Sequence, residues 1–335
     1  MPAALKEVFA PSLSRKVKFG RRRPVAHAPC LKLRHYLGAN LPSPPASVSY
    51  TTSASASLAS IFGNDTLGDC VIAALMHLVG VWTGNAGSIF IPTPAQVIAM
   101  YSAIGGYVPG DPSTDNGCDM QTAMNWIVAN GYPNGDKPVG YVAIDASNFE
   151  EVCTAIWLFE GIDLGMALPD AWINPMPSSS GFVWDVAGAP DQNNGHSIMA
   201  AGYQSTGQAG VTIDTWAMLG LETEAALAQY ATAANGGELY VLLSPDMIAK
   251  AATKAPNGFD WQSLVADFDD IGGTVPAPTP APTPQPTPTP VTAATLAQAQ
   301  TWGANGINAG RFVMTKAQAI ASMNAGLAAG FAGKS

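Results

Sequence analysis

An α+β fold is predicted by the order of patterns along the chain, with helical segments first and strand segments later. The chain has 335 residues, of which 47% are hydrophobic and 12% are charged. This composition provides for a sizeable core and excludes a coiled coil or a charge-rich disordered protein. We expect one main body over residues 46–250, in which the helices and the strands are segregated.

Three helices are predicted in the first part of this body. The nearly apolar run Cys70–Trp82 is 13 residues long, short of the roughly 18 to 20 residues that cross a bilayer, and we interpret it as a buried helix. Pro94 opens a second helix, because proline suits the first helical turn. A third helix covers 120–130 and stops at Gly131, a residue typical of helix C-termini.

Strands are predicted in the second part of the body. Short apolar or alternating runs, bounded by Gly, Pro and Asn, are typical of β-strands. They fall at residues 139–145, 162–168, 197–203, 210–216 and 238–244.

The clearest boundary follows the body and a connecting segment, 251–273. Proline occupies every second position from Pro276 to Pro290. Because proline fixes φ and lacks an N–H, residues 274–292 are predicted to form a polyproline II spacer, roughly 45 Å long over the alternating part at about 3.1 Å per residue. Beyond it, residues 293–335 have helical periodicity, and we expect a small helical module that oligomerises or docks on a partner.

Charge is distributed unevenly between the first residues and the rest. The first 35 residues have a net charge of +8, whereas the other 300 have −17. The basic, extended N-terminal arm, residues 1–45, is predicted to dock on the acidic body or on a partner. Nucleic-acid binding is disfavoured, because the arm has no interleaved aromatic residues. The N-terminus has no apolar central stretch of a secretory signal, so a cytoplasmic location is the default expectation, with assembly into a particle or non-classical export as alternatives.

The cysteines do not have the pattern of a disulfide framework or of a zinc site, and no Gly-rich phosphate loop is present. We predict free thiols, no metal site and no cofactor. The four cysteines are widely spaced, at Cys30, Cys70, Cys118 and Cys153.

A candidate catalytic set is distributed over three predicted elements. Cys70 begins the buried helix, where helix N-terminal N–H groups stabilise a thiolate. His196 opens an apolar strand, and Asp214 ends the next strand. A nucleophile, a base and an orienting group can thus come from three elements. His77, seven residues after Cys70, is interpreted as a core histidine.

This set resembles the motifs of papain-like cysteine peptidases, over most of residues 50–245. Asn64 lies six residues before Cys70, where the family has Gln. The segment from His196 to Tyr203 is similar to the family's His strand, which ends in Gly-Tyr. The segment Asp214-Thr215-Trp216 is similar to its Asn-Ser-Trp. The resemblance implies a helical half, containing the Cys70 helix, packed against an antiparallel β half.

The resemblance also implies a role for each of these residues. Cys70 would be the nucleophile, His196 the general base and then acid, and Asp214 the orienting residue. Asn64 and the Cys70 backbone N–H would form the oxyanion hole. Trp216 would shield the histidine from water. The implied function is a thiol-dependent hydrolase, cleaving peptide or isopeptide bonds of a peptide or protein substrate through a Cys-His-Asp triad.

Departures from the family pattern favour an alternative function. Asn64 is shorter than Gln, Asp214 is charged where the family has an amide, and Leu67 replaces a cysteine that would pair with Cys118. The Gly-Gly that follows this position in the family, and that usually binds the substrate backbone, is missing. The alternative is a catalytically impaired structural or binding protein, for example a phage or other particle component displayed through the Pro/Thr linker. The N-terminal arm precedes the body, which is where the resembled family has its inhibitory propeptide.

Overall fold

The computed structural model describes residues 5–24, 30–255 and 258–270. The predicted linker, 274–292, and the predicted helical module, 293–335, lie outside these residues. Among the described residues, no helix is both long and apolar enough to cross a membrane.

The described part of the chain combines helices with a largely antiparallel sheet, as predicted for an α+β fold. Four of the described helices precede the main run of strands, three lie among these strands and two follow them. The helices are α1 (Ser55–Leu58), α2 (Cys70–Asn85), α3 (Pro94–Gly105), α4 (Met120–Asn130), α5 (Phe149–Phe159), α6 (Asp170–Ile173), α7 (Glu224–Tyr230), α8 (Pro245–Lys254) and α9 (Trp261–Asp270). The strands are β1 (Glu7–Ala10), β2 (Arg15–Lys18), β3 (Ser47–Ser49), β4 (Gly140–Ile144), β5 (Ile162–Ala167), β6 (Phe182–Trp184), β7 (Gly195–Gln204), β8 (Gly210–Thr215), β9 (Met218–Thr223) and β10 (Glu238–Leu243).

Local sequence accounts for where the first helices begin and end. Helix α3 starts with a capping box, in which the Thr93 hydroxyl accepts from the Gln96 N–H while the Gln96 side chain accepts from the Thr93 N–H. Helix α4 starts where the Asp119 carboxylate accepts from the Thr122 N–H. It ends at Gly131, whose φ of +85° favours glycine. The three predicted helices thus lie where their patterns indicate.

The strands of the body form one largely antiparallel sheet. Its order is β4-β10-β5-β7-β8-β9-β6, with β3 also paired to β7, and only the β6–β9 pair is parallel. The five predicted strands correspond to β4, β5, β7, β8 and β10. Helix α2, buried along nearly its whole length, packs against β7. The N-terminus of α2 therefore lies beside the sheet strand that begins with Gly195 and His196.

Two regions are more structured than the sequence predicted. The N-terminal arm contains a hairpin, β1–β2, in which Val8 pairs with Val17, so it is not simply extended. The segment predicted to be a connection, 251–273, contains α9, and Phe259 and Leu264 are buried in the core of the body.

Candidate active site

The predicted site residues line one small cavity of about 10 Å³. Cys70 is the first residue of α2, His196 is the second residue of β7, and Asp214 lies near the end of β8. They converge because β7 and β8 are adjacent strands and α2 packs on β7. The cavity lining includes Asn64, Cys70, His77, His196, Ser197, Asp214, Thr215 and Trp216. A volume this small holds at most one water molecule, so a substrate requires the site to open.

The Cys70 thiol is fully enclosed. The residue is 1% exposed, and burial raises the pKa of its thiol to about 11. The backbone N–H groups of Ser197 and Gly20 act in the opposite direction, because a hydrogen bond to sulfur favours the thiolate. In this closed arrangement the thiol is protonated at neutral pH.

The His196 imidazole is held on two sides. Its Nε2 lies 2.8 Å from the Thr215 hydroxyl, and its ring stacks on Trp216 at a centroid distance of 4.1 Å. The other ring nitrogen, Nδ1, is buried and has no hydrogen-bond partner among the described residues. Burial, followed by the nearby Arg21 cation, lowers the His196 pKa to about 3, so the imidazole is neutral.

Asp214 is not the residue that contacts His196, contrary to the role implied by the resemblance. Its carboxylate Oδ2 lies 3.2 Å from Nε2 of His77. The side chains of successive strand residues point to opposite faces of the sheet, so the Asp214 and Thr215 side chains contact different residues. Burial lowers the His77 pKa to about 3 and raises the Asp214 pKa well above its usual value, because burial disfavours the charged form of each group.

Two residues of the cavity have neighbours that the sequence did not predict. Thr215, which was not among the candidates, provides the hydroxyl at His196. His77 is not only a core histidine packed on Phe62, with a ring distance of 4.6 Å, because it also faces Asp214. The available signal for His77 was its spacing of two helical turns from Cys70 on α2.

Asn64, the predicted oxyanion-hole residue, lines the cavity, and its side-chain amide already donates hydrogen bonds to two backbone carbonyls. Its Nδ2 donates to the Leu67 carbonyl at 3.1 Å and to the Lys18 carbonyl at 3.4 Å. The second of these carbonyls belongs to the N-terminal arm. A peptide carbonyl therefore already lies within reach of the Asn64 amide.

The segment Lys18–Arg22 crosses directly over the site. The Cys118 N–H donates to the Gly20 carbonyl at 3.0 Å, and the Arg22 N–H donates to the Cys118 carbonyl at 3.0 Å. On the other side, the Arg21 N–H donates to the Gly195 carbonyl at 3.1 Å. Cys118 thus provides a backbone edge for a peptide even though the Gly-Gly of the resembled family is missing.

The side chains of the arm complete the cover. Phe19 makes edge-to-face contacts with His196 and Trp216, at ring distances of 5.7 and 5.6 Å. Lys18 and Arg21 form ion pairs with body carboxylates, Lys18 with Asp115 at 2.8 Å and Arg21 with Glu238 at 2.6 Å. Lys6, nearer the N-terminus, pairs with Asp170 at 2.9 Å. The basic arm therefore docks on the acidic body over the candidate site.

The other thiols are free, and no metal cluster is found in the part of the chain that the structure describes. Cys118 and Cys153 are buried, and burial raises the pKa of each thiol, that of Cys153 to about 12.

Searches found no matching family model and no matching curated protein. Solved structures with a similar fold are cysteine proteases. Xylellain, a cysteine protease from Xylella fastidiosa, is 11% identical, with a TM-score of 0.49, covering 72% of this chain and 99% of that one. The digestive procathepsin L 3 of the Tenebrio molitor larval midgut is 14% identical, with a TM-score of 0.46, covering 67% and 75%. Bromelain from Ananas comosus is 14% identical, with a TM-score of 0.44, covering 59% and 99%. These similarities are distant, so a function for this chain has to be inferred from the geometry of its own site.

Proposed function

We propose that the protein is a latent thiol-dependent hydrolase that cleaves peptide or isopeptide bonds. The observation that carries this proposal is the meeting of Cys70 and His196 in one cavity, at the N-terminus of a buried helix. A thiol at a helix N-terminus and an imidazole held by hydrogen bonding and stacking form the pair needed for nucleophilic catalysis. The fold alone would not support this conclusion.

In the proposed reaction, His196 takes the proton of Cys70, and the thiolate attacks the carbonyl carbon of the substrate. The Asn64 amide and the Cys70 backbone N–H stabilise the oxyanion. His196 then returns the proton to the leaving amine as the C–N bond breaks and a thioester forms. Water, deprotonated by His196, hydrolyses the thioester and restores Cys70. Thr215 keeps the imidazole in its orientation throughout.

The resting state is inactive because the arm occupies the space that a substrate needs. With the arm docked, the thiol and the imidazole are both neutral, since burial disfavours either charge. Displacing the arm admits water and removes the Arg21 cation from His196. Both changes raise the His196 pKa. For Cys70, the entry of water relieves burial, the largest cause of its raised pKa, although the loss of the Arg21 cation and of the Gly20 N–H acts in the opposite direction. The net effect favours the thiolate–imidazolium pair.

Labelling with an epoxide-type thiol reagent, followed by mass spectrometry, tests the proposal on the full chain. We expect Cys70 to be labelled in preference to Cys118 and Cys153 between pH 5 and 7, and His196→Ala to slow this labelling. Turnover of a peptide library should disappear in Cys70→Ala. If Cys70 is labelled no faster than Cys118 below pH 7 even in Gly20→Ala, a variant designed to loosen the arm, it is not an activated nucleophile.

The second candidate function is a structural or binding protein that retains this fold without catalysis. The burial of Cys70 and His196 and the position of Asp214, which lies beside His77, favour it. This candidate predicts that no peptide is hydrolysed in a Cys70-dependent manner, even when the arm is loosened by a substitution. Cys70-dependent hydrolysis of any library member would eliminate it.

A further inference from the structure

The side chain of Arg21 is buried in a polar pocket next to the candidate site. Its Nε and Nη2 lie 3.1 and 2.6 Å from the same Glu238 carboxylate oxygen, Oε1. Its Nη2 also donates to the Gly236 carbonyl at 2.8 Å. The residue is 6% exposed, so the guanidinium has exchanged its hydration for these three contacts.

The body provides this pocket with features that suit a guanidinium. The Tyr240 hydroxyl donates to the second Glu238 oxygen, Oε2, at 3.0 Å, which fixes the carboxylate. Gly165 lies against the side chain, and a Cβ at that position would overlap both the Arg21 Nε and the Met120 sulfur. Glycine at this position of β5 therefore keeps open the space that the guanidinium fills.

The pocket opens onto the backbone path that passes the nucleophile. Gly20, the residue before Arg21, places its N–H where it favours the Cys70 thiolate. Arg21 itself is bound by its backbone N–H to the Gly195 carbonyl. At Gly195 an added Cβ would overlap the Arg21 carbonyl. A peptide that used these backbone positions would therefore direct a side chain toward Glu238.

We propose that the Glu238 pocket is a recognition site for the arginine side chain of a peptide ligand, and that Arg21 is its internal occupant. For catalysis this inference rests on the proposed function, since it then names arginine-containing peptides as the substrate class. Arginine is preferred over lysine because a planar guanidinium reaches both Oε1 and the Gly236 carbonyl with several N–H groups, whereas an ammonium is a single point of charge.

A binding experiment tests the pocket without requiring catalysis. Full-length Gly20→Ala/Arg21→Ala loosens the arm backbone and vacates the pocket, and its affinity for acetyl-Phe-Gly-Arg-amide is compared by calorimetry with that for the citrulline and lysine analogues. Citrulline has the shape of arginine without the charge, so it is the matched control. We expect the arginine peptide to bind about tenfold tighter or more, as is typical of hydrogen bonds to a charged group. In the same background, Glu238→Gln should remove this preference, and Tyr240→Phe should weaken it.

Equal affinity for the arginine and citrulline peptides would overturn the inference and leave Arg21–Glu238 as an anchor of the arm only. A preference that survives Glu238→Gln would overturn it too, because the carboxylate would not be the selective group. The same peptides, carrying an epoxide, then report on Cys70. Selective binding without Cys70 labelling would support the pocket and contradict the hydrolase, whereas labelling without arginine preference would do the reverse.

Discussion

The hydrogen bond between His196 and Thr215 predicts which residue positions the imidazole. Thr215→Val removes the hydroxyl and leaves the buried Nε2 without a partner, which costs about 1–3 kcal/mol. We expect kcat, or the rate of Cys70 labelling, to fall by roughly 10- to 100-fold, the fold-change equivalent to that energy. Thr215→Ser should retain most of the rate, and KM should change little.

Asp214→Asn is the matched comparison, because it changes the neighbouring residue of the same strand. It removes a buried carboxyl that faces His77, so we expect a smaller effect on the rate than Thr215→Val produces. A larger loss in Asp214→Asn would show that the carboxyl, rather than the hydroxyl, orients His196.

The buried carboxyl of Asp163 predicts a pH-dependent change in stability. Burial raises its pKa to about 7, although the Ser197 hydroxyl donates to it at 2.9 Å. A raised carboxyl pKa means that the folded state binds its proton more tightly than the unfolded state, so this group destabilises the fold above pH 7 and the penalty is relieved as pH falls toward 4.

Asp163→Asn keeps the acceptor for Ser197 and removes the charge. We expect it to stabilise the protein by about 1–3 kcal/mol at pH 8 and by much less at pH 5, which thermal unfolding at the two pH values measures. Glu150→Gln, at an exposed position, is the control and should show little change. An equal stabilisation at both pH values would contradict the assigned titration.

The sequence predicted the ends of the elements that carry the candidate residues better than the contacts between these elements. Cys70 and His196 were identified because a helix start and a strand start are visible as patterns. Thr215 was not, because the pairing of β7 with β8 shifts between Ala200 and Gly202. If the register at Gly202, which pairs with Thr212, continued without a shift, Met199 would lie opposite Thr215. Because of the irregularity, Met199 lies opposite Asp214. A one-residue shift exchanges the faces of a strand, and spacing along the sequence does not reveal it.

At the scale of elements, the arm segment that covers the site, residues 18–22, depends on close backbone contacts between glycines. A Cβ on Gly20 would overlap the Gly68 carbonyl, and a Cβ on Gly117 would overlap the Gly20 carbonyl. Such contacts join residues far apart in the chain. The sequence therefore indicated a basic arm with a preference for the acidic body, but it did not indicate the path of that arm.

Gly20→Ala is predicted to loosen the arm without altering the body. The overlap with Gly68 cannot be relieved by rotating a side chain, because the alanine Cβ has no rotatable bond that moves it and the Gly68 atoms it meets are backbone. We expect Cys70 labelling to accelerate by about tenfold or more, which corresponds to a loss of roughly 1.4 kcal/mol from arm docking. Phe9→Ala, at an exposed position of the β1–β2 hairpin in the same arm, is the control and should leave the rate unchanged. Unchanged labelling in Gly20→Ala would show that the arm does not limit access to Cys70.

At the scale of the whole molecule, the opposite charges of the arm and the body predict that latency depends on salt. Several of the ion pairs that join them are partly exposed, such as Lys6–Asp170, with side chains 32% and 68% exposed. Each such pair contributes about 0–1 kcal/mol and is screened by salt. The buried Arg21–Glu238 pair is screened much less.

Raising NaCl from about 0.1 to 1 M shortens the screening length from about 10 to 3 Å, so arm docking should weaken while the core of the body is retained. We expect Cys70 labelling in the wild-type chain to accelerate a few-fold across this range. Gly20→Ala, whose arm is already loosened, should show a smaller salt effect, and free glutathione corrects for the reagent. Cys118 and Cys153 should stay slow, since faster labelling at those buried thiols would indicate unfolding. A wild-type rate that is constant or falls with salt would mean that the arm is held by its buried contacts alone, and that the charge asymmetry of the chain does not control access to the site.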